Sequence, residues 1–370
     1  MTIPSIKEIE NLEGKKVLLR LDLNLPIKDG KILDDFRLKK ALPTINFLIE
    51  KKAKVIILSH IGRGGKDSLA PVVSLLNKLV EAELITDYDQ DFTKKPGQVF
   101  VLENLRKNPG EENNYEEFAK KLASLGDIYV NDAFAVSHRE HASIVGLPKL
   151  LPSYVGLLFE EEVNELSFAL NPPQPFLFIL GGAKFETKMP LIEKYLDIAN
   201  NLFIGGALAN NFFKEKGFEV GISAVDDSIS LKNIFGNKKI ILPKDVIVKN
   251  QGEIIIKKPN KVSVGDKILD AGPESLLQLK EIIAQSEFVL WNGPLGYYED
   301  GFDKGSYDLL KIIASSNVKS IIGGGDTVSL VSKMGLEDKI SFVSTGGGAM
   351  LKFLTEGTLP GIEALKKEEE

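Results

Sequence analysis

The chain has 370 residues, a length that suggests two domains of ordinary size, and its 43% hydrophobic and 26% charged content is typical of a globular protein. A net charge of −6 at pH 7 argues against nucleic acid as a partner, and the lack of cysteine excludes disulfides, thiolate metal sites and a cysteine nucleophile. We find no signal-peptide core and no apolar run long enough to span a bilayer, so we expect a cytoplasmic protein without a membrane partner.

Short apolar runs alternate with amphipathic stretches along the chain. Most of the runs are continuously apolar, as in parallel strands that are covered by helices on both faces. We predict ten strands, at 16–23, 54–59, 98–102, 127–131, 176–180, 201–205, 239–242, 287–291, 319–322 and 340–344. Helical patterns lie between them, at 36–51, 70–82, 112–125, 188–199 and 274–285. This alternation predicts an α/β fold with right-handed crossovers.

The two halves of the chain meet near residues 150–175. Residues 154–170 have amphipathic helical character, with Ser153 as a candidate cap, and the proline-rich segment 171–175 ends the pattern. A helix between two similar α/β domains is a plausible hinge element.

Basic side chains cluster at the strand ends of the first half. All five arginines and all three histidines lie within the first 141 residues, at Arg20, Arg37, Arg63, Arg106 and Arg139 and at His60, His138 and His141. Arginine grips phosphate or carboxylate through two bonds, and ligands of open parallel sheets bind at the carboxyl ends of strands. This half therefore predicts a site for a small, multiply charged anion. Biased codon usage explains the scarcity of arginine but not its placement.

Two of these basic residues have structural alternatives. Arg20 lies inside an apolar strand, which favours a buried ion-pair partner over a ligand. The His138-x-x-His141 spacing is a weak metal signal because Arg139 intervenes and no carboxylate cluster accompanies it. His141 then reads as a hydrogen-bonding core residue.

The second half has no arginine or histidine and carries glycine runs instead, at 181–182, 205–206, 323–325 and 346–348. It lacks both the P-loop and the G-x-G-x-x-G fingerprints, so any phosphate site is of another kind. Residues 323–327 join a strand to a helix, where free N–H groups attract anions. Asp326 is a candidate Mg²⁺ ligand and Thr327 a candidate phosphate contact, and the alternative is a structural turn capped by Asp326.

A second strand-to-helix junction spans residues 181–188. Lys184 and Lys188 are four residues apart, so a helix would place both on one face. Two like charges on one face favour an anion between them, and the alternative is a pair of solvated surface lysines.

These segments together resemble the phosphoglycerate kinase family over nearly the whole chain. The matching motifs are at 20–26, 59–63, 102–106, 131–134, 138–141, 181–184, 291–294, 323–327, 344–348 and 359–361. The resemblance implies two doubly wound parallel-sheet (Rossmann-like) domains joined by a hinge helix. Their expected bounds are 1–152 for the N-terminal phosphoglycerate-binding domain, 153–171 for the interdomain helix, 172–350 for the C-terminal nucleotide-binding domain, and 351–370 for a segment that packs back on the N-terminal domain.

The resemblance also implies a set of binding residues. For 3-phosphoglycerate and 1,3-bisphosphoglycerate they are Asp22, Leu23, Asn24, Arg37, His60, Ile61, Gly62, Arg63, Arg106, His138 and Arg139. For ATP or ADP they are Lys188, Gly205, Gly206, Asn292, Pro294, Glu299, Gly323, Gly324, Gly325, Asp326 and Thr327. Asp326 is the implied Mg²⁺ ligand, and the implied catalytic residues are Arg37, Lys184, Lys188, Gly347 and Gly348.

The implied activity is that of a monomeric glycolytic kinase. It transfers a phosphoryl group reversibly between 1,3-bisphosphoglycerate and ADP, giving 3-phosphoglycerate and ATP. The attacking oxygen is ionised in both directions, so no general base is needed, and the demand is positioning and charge neutralisation. The implied sites lie on separate domains that close to meet.

The chain departs from the family pattern at several places. Residues 64–100 are shorter than usual, Gly64 replaces a common proline, 207–209 replace Gly-Met-Ala, 135–137 replace Gly-Thr-Ala, and Lys352 replaces an acid. None of these changes removes a charged residue of the implied sites. Intact Arg37, Lys188 and Asp326 argue against a silent binding protein, and the complete arginine set argues against a different small-molecule kinase.

Overall fold

The computed structural model describes residues 3–87 and 99–366. The chain forms two compact units. The N-terminal unit comprises Met1–Asn164 and Glu356–Glu370, and the C-terminal unit is Glu165–Thr355. In the described residues, no helix is both long enough and apolar enough to cross a membrane.

The strands in chain order are β1 (Lys16–Arg20), β2 (Ile27–Lys28), β3 (Lys31–Ile32), β4 (Lys54–Leu58), β5 (Ala82–Ile85), β6 (Val99–Leu102), β7 (Ile128–Asn131), β8 (Ser153–Val155), β9 (Phe176–Leu180), β10 (Asn201–Ile204), β11 (Ile240–Ile241), β12 (Val246–Asn250), β13 (Glu253–Lys257), β14 (Lys267–Ala271), β15 (Phe288–Asn292), β16 (Lys319–Gly323) and β17 (Phe342–Val343). The α-helices are α1 (Phe36–Glu50), α2 (Ala70–Leu76), α3 (Pro109–Glu112), α4 (Glu116–Ala123), α5 (Leu157–Phe168), α6 (Met189–Ile198), α7 (Gly206–Glu215), α8 (Pro273–Ile283), α9 (Lys304–Ala314), α10 (Gly325–Met334), α11 (Gly347–Glu356) and α12 (Pro360–Leu365).

The N-terminal unit is built on a six-stranded parallel sheet with the order β5-β6-β4-β1-β7-β8. Its central strand β1 pairs with β4 and β7, and Arg20 aligns with Leu58 on one side and Asn131 on the other. The residues that follow these three strands therefore share one edge of the sheet. The apolar strand residues are fully buried, which is the reason for their unbroken hydrophobic runs.

The C-terminal unit has a second six-stranded parallel sheet, β11-β10-β9-β15-β16-β17, and a small antiparallel sheet, β13-β12-β14. Asn292 at the end of β15 aligns with Leu180 and with Gly323. In both large sheets the chain adds strands on one side of the first strand and then on the other, so the predicted doubly wound α/β fold is confirmed.

Each of the ten predicted strands corresponds to a strand of the structure, most with shorter bounds, although residue 98 lies outside the described residues. Three helix predictions were wrong in part. The helix predicted at 70–82 ends at Leu76, because the following residues turn into β5, which pairs with β6. The pattern at 112–125 is broken by Asn114, whose φ of +53° no helix allows. The pattern at 154–170 begins only at Leu157, because Ser153–Val155 pair with β7 as strand β8.

The prediction also missed two tight hairpins. Asp29-Gly30 joins β2 to β3, and Gln251-Gly252 joins β12 to β13. All four residues have positive φ, as the two central residues of a type I′ turn require. The Asp-Gly pair at 29–30 was therefore a readable hairpin signal.

Candidate functional site

The carboxyl edge of the N-terminal sheet begins with an ion pair. Asp22 follows β1 and is 9% exposed, and its Oδ2 lies 3.1 Å from Nη1 of Arg37 at the start of α1. The same nitrogen donates to the backbone oxygen of Asn24 at 3.0 Å. Burial alone raises the pKa of Asp22, but Arg37, His60 and the Asn24 amide together lower it. Asp22 is therefore an ionised anchor that holds the Arg37 fork at this edge.

The segment after β4 is held tightly against this anchor. Gly62 has φ +67° and donates its N–H to Oδ1 of Asn24 at 2.9 Å. A side chain at Gly62 would collide with Asp67, whose Oδ2 would lie 1.7 Å from the added Cβ. The Gly62 oxygen in turn accepts from Nη1 of Arg106 at 2.7 Å, while Nε of Arg106 lies 3.1 Å from Oε1 of Glu112. One backbone loop thus connects two candidate anion-binding side chains.

His60 is almost completely buried, at 2% exposure. Burial lowers its pKa to about 3, with Arg20 and Arg106 acting in the same direction and Asp22 and Glu111 opposing them. The imidazole is therefore neutral at physiological pH. It offers a hydrogen bond rather than a positive charge.

The other candidates of this edge differ in exposure. Leu23 and Ile61 are core side chains at 0% and 3% exposure, and the Leu23 N–H is already bonded to Ser59 Oγ at 3.0 Å. Arg63 and Arg139 are exposed, whereas His138 is half-buried. Arg139 acts on the pKa of Arg106, so the two guanidiniums lie within electrostatic range of each other.

The predicted ion-pair role of Arg20 is confirmed. Its guanidinium is 1% exposed, and Nη2 lies 3.8 Å from Oε1 of the fully buried Glu111. His141 also lies next to Glu111, with Nδ1 3.7 Å from Oε1, in keeping with a core residue. No group of three or more potential metal ligands occurs in residues 3–87 and 99–366. Sequence reasoning missed Glu111, although a buried arginine demands a buried acid.

The carboxyl edge of the C-terminal sheet is centred on Lys188. This lysine is 6% exposed, directly precedes α6, and its Nζ donates to the backbone oxygen of Gly181. Burial lowers its pKa to about 8, with Lys184 adding to the effect and Asp326 opposing it. Lys184 is exposed and lies before the helix, so the prediction that both lysines share a helix face was wrong. Pro190, in the first turn of α6, favours a helix start at this point.

The strand-end glycines pack backbone against backbone. The N–H of Gly181 bonds to Asn292 O at 2.9 Å, that of Gly182 to Pro294 O at 2.8 Å, and that of Gly206 to Leu295 O at 3.1 Å. A Cβ on Gly206 would lie 2.5 Å from the Gly182 nitrogen. The amides of Gly181, Gly182 and Gly206 are therefore bonded within the protein rather than free to bind a phosphate.

Residues 323–327 form the predicted strand-to-helix junction. Gly323 ends β16, Gly324 (φ +98°) is the N-cap of α10, and Asp326 stands exposed in its first turn. Asp326 is therefore not the N-cap, and its carboxylate is open to a ligand. Thr327 is buried, and its Oγ1 accepts from the Gly293 N–H at 3.1 Å. The first-turn amides of this helix point to the same edge as Lys188.

The remaining candidates surround this junction. Asn292 is 3% exposed and contacts Met350, while Gly347 and Gly348 begin α11, where helix N–H groups lack intrahelical partners. Gly205 precedes α7, in which the substituted Leu208 is a core residue at 0% exposure. Pro294 is buried and Glu299 is exposed in a short 3₁₀ turn. Part of the shortened 64–100 region, 88–98, lies outside the described residues.

The chain has two Rossmann-like units with different ligand edges. One edge carries arginines, and the other carries a lysine and two helices that begin with glycine. This combination defines the class of two-domain α/β kinases. A profile of the phosphoglycerate kinase family matches residues 6–357. The chain belongs to the phosphoglycerate kinase family, as its motifs predicted.

Individual relatives agree with this assignment. The chain is 40% identical to a phosphoglycerate kinase of Coprothermobacter proteolyticus over 393 residues that cover 100% of both chains, and 41% identical to one of Roseiflexus over 99% of both. Among solved structures, it matches phosphoglycerate kinase from Coxiella burnetii with a TM-score of 0.84 at 40% identity, covering 98% of this chain and 99% of that one. The match to the enzyme from Pyrococcus horikoshii has a TM-score of 0.87 at 32% identity, covering 98% of each chain.

Proposed function

We propose that this chain performs its family's reaction by dividing the substrates between its two units. The reaction is the reversible transfer of a phosphoryl group between 1,3-bisphosphoglycerate and ADP, which gives 3-phosphoglycerate and ATP. The family match over residues 6–357 carries this function. The charge at each sheet edge supports the division of the substrates.

In this proposal, phosphoglycerate binds at the basic edge of the N-terminal unit. The support is a set of cationic side chains whose geometry is fixed before a ligand arrives, as with Arg37 on Asp22 and Arg106 on Gly62. Such preorganisation lowers the entropic cost of binding. The proposed residues are Asp22, Leu23, Asn24, Arg37, His60, Ile61, Gly62, Arg63, Arg106, His138 and Arg139.

The nucleotide binds at the carboxyl edge of the C-terminal unit. The amides that begin α10 and the charge on Lys188 suit its phosphates, and Glu299 suits its ribose. Gly205 and Gly206, which lie between β10 and the first turn of α7 at this edge, are the proposed adenine contacts. The proposed residues are Lys188, Gly205, Gly206, Asn292, Pro294, Glu299, Gly323, Gly324, Gly325, Asp326 and Thr327.

Asp326 is the proposed protein ligand of Mg²⁺. A single exposed carboxylate next to a phosphate site fits this ion, which keeps several waters and binds through one or two carboxylates together with substrate phosphates. When bound, Mg²⁺ neutralises charge on the nucleotide phosphates.

The chain's own residues then act by holding charge. In the direction of ATP synthesis, an oxygen of the ADP β-phosphate attacks the acyl phosphate, and the bond from phosphorus to the carboxylate oxygen breaks as the new bond forms. Arg37, Lys184 and Lys188 neutralise the three equatorial oxygens during this step, with the amides of Gly347 and Gly348. The departing group is a carboxylate and needs no proton, so this step requires no general acid.

We also propose a monomer that works in the cytoplasm, without nucleic-acid or membrane partners. The net charge of −6 and the lack of cysteine support this setting.

The test is ATP formation by the purified protein from Mg-ADP and 1,3-bisphosphoglycerate generated in a coupled assay. We expect robust turnover that stops when Mg²⁺ is chelated and that Lys188→Met reduces strongly. No turnover in a folded protein that still binds both ligands would refute the kinase and identify a silent binding protein.

A further inference from the structure

A buried polar network lies beneath the basic edge of the N-terminal unit, and the substrate-binding roles proposed above do not include its members Arg20, Glu111 and Ser143. Its acid is Glu111 on α3, which is 0% exposed. Oε1 of Glu111 accepts from Ser143 Oγ at 2.6 Å, and Oε2 accepts from the Ser143 N–H at 3.0 Å. Burial raises the pKa of Glu111, but His141, Arg20 and Ser143 together lower it, so this carboxylate is ionised.

Arg20 is the buried countercharge of Glu111 and is fixed in orientation. Its Nε donates at 2.8 Å to the same Ser143 hydroxyl that donates to Glu111, and its Nη1 donates to the backbone oxygen of Leu21. The guanidinium cannot rotate without breaking these bonds. Its Nη2 lies 3.5 Å from Nδ1 of His60.

This contact decides where the His60 proton sits. All polar atoms of a guanidinium are donors, so the ring nitrogen that faces it must be the acceptor. A proton on Nδ1 would point at the Nη2 protons and be repelled by them, even at a separation of 3.5 Å between the two nitrogens. Because the ring is neutral, it carries one proton, and that proton belongs on Nε2. Asp22 and Arg106 are the other charged groups that act on this ring.

We propose that Glu111 and Arg20 are positioning residues that hold His60 as its Nε2–H tautomer, so that His60 presents a neutral N–H donor to bound phosphoglycerate. Neither residue touches the substrate. The opposite tautomer would present a lone pair to an anion and repel it. This inference rests on the assignment of phosphoglycerate to the basic edge.

The direct test reads the ring nitrogens of the full chain labelled with ¹⁵N-histidine. The sequence has only three histidines, and His60→Gln assigns the His60 signals by their loss. We expect long-range ¹H–¹⁵N spectra at neutral pH to show an unprotonated Nδ1 and a protonated Nε2 on His60, with and without 3-phosphoglycerate. A proton on Nδ1, or a doubly protonated ring, would overturn the inference.

The variant test removes both charges together. A single substitution would leave one buried charge without its partner and endanger the fold, whereas Arg20→Gln with Glu111→Gln leaves none. We expect mixed His60 tautomers, a KM for phosphoglycerate raised about tenfold or more, and a smaller change in kcat and in the KM for nucleotide. A folded double variant with an unchanged tautomer and KM would show a purely structural role.

Glu112→Gln is the matched control, because it removes a charge from the same helix but contacts Arg106 instead of Arg20. Its His60 tautomer should stay unchanged, and an equal change there would overturn the role of Glu111. If the double variant does not fold, the wild-type spectrum still decides the tautomer. The spectrum needs no turnover, so absent ATP formation counts against the proposed function, while a misplaced proton counts against this inference.

Discussion

The carboxyl group of Asp132 accepts the backbone N–H of Phe159 at 2.9 Å, so a side chain at the end of β7 caps the first turn of α5. Thr44 assists from α1, because its Oγ1 accepts the Leu157 N–H at 3.1 Å. The start of α5 is therefore capped by residues that are distant in sequence. The local cap predicted at Ser153 was wrong, because Ser153 lies in β8 and its Oγ donates to the Leu151 oxygen at 2.8 Å.

This capping carboxyl gives a pH prediction. Burial raises the pKa of Asp132 to about 7, although hydrogen bonds from Thr44, Phe159 and Leu158 oppose the shift. In the unfolded chain the group ionises near pH 4, so between about pH 4 and 7 the folded state binds more protons than the unfolded state. The contribution of Asp132 to stability therefore falls as pH rises through this window, by up to about 1.4 kcal/mol for each pH unit between the two pKa values.

Asp132→Asn removes this titration and keeps an oxygen that can accept from Phe159. We expect urea unfolding to show the variant gaining stability relative to wild type from pH 5 to pH 8. Asp127→Asn is the control, because Asp127 directly precedes β7, which Asp132 follows, and is exposed. A difference between wild type and Asp132→Asn that does not change with pH would contradict the prediction.

Gly156 allows the cap to approach the helix. A Cβ at this position would lie 2.3 Å from Oδ1 and 2.4 Å from Cγ of Asp132. We expect Gly156→Ala to displace the carboxyl and lower the free energy of unfolding by about 1–3 kcal/mol. Gly265→Ala, which meets Asn250 at an ordinary 3.5 Å, should change stability little. Equal effects of the two substitutions would show that the close approach to Asp132 does not matter.

Much of the fold followed from the sequence because the signal was local. Runs such as β1 and β9 are short and continuously apolar, which is typical of parallel strands that are buried on both faces. The three-residue strand β8 carries no such signal. It forms a strand because it pairs with β7, and this long-range pairing cannot be predicted from the local sequence.

The same distinction applies to the candidate site. Asp22, His60 and Asp326 were proposed from the sequence because each lies at or shortly after the end of an apolar run, at the ligand edge of a parallel sheet. Glu111 was not, because its partners Arg20 and Ser143 come from other parts of the chain. The hydrogen bonds that the strand-end glycine amides make within the protein were not predictable either. They depend on backbone packing between strands, which glycine content alone does not reveal.

Arg37 should be essential for turnover. Its guanidinium is already oriented by Asp22 and Asn24, so in the proposed mechanism it loses little freedom on stabilising the transferring phosphoryl group. We expect Arg37→Ala to lower kcat by at least about a hundredfold in the coupled assay, the usual scale for one preorganised charge. Lys39→Ala is the control, because this lysine is exposed on the same helix. Near-normal turnover of Arg37→Ala would refute the catalytic role.

Phosphoglycerate binding should weaken with salt. The proposed site is dominated by arginines, of which Arg63 and Arg139 are exposed and therefore screened by dissolved ions. We expect calorimetry to show a Kd for 3-phosphoglycerate that rises steadily with potassium chloride. Sucrose at matched osmolality should leave it unchanged. An affinity that does not depend on salt would argue against a charge-dominated site.

Lys188 should set the alkaline limb of the pH profile. In the proposed mechanism its charged form neutralises the transferring phosphoryl group. Burial lowers its pKa to about 8, so this charge is present below pH 8 and is lost as pH rises through that value. We therefore expect kcat/KM, which reports the free enzyme, to fall above about pH 8. Lys188→Arg should move the limb to higher pH. Lys184→Met should move it the same way by less, because Lys184 lowers the pKa of Lys188. Lys194→Met is the control, because the Nζ of Lys194 bonds to the Leu354 and Thr355 oxygens, and this variant should leave the limb in place. A limb that stays fixed in Lys188→Arg would assign it to another group.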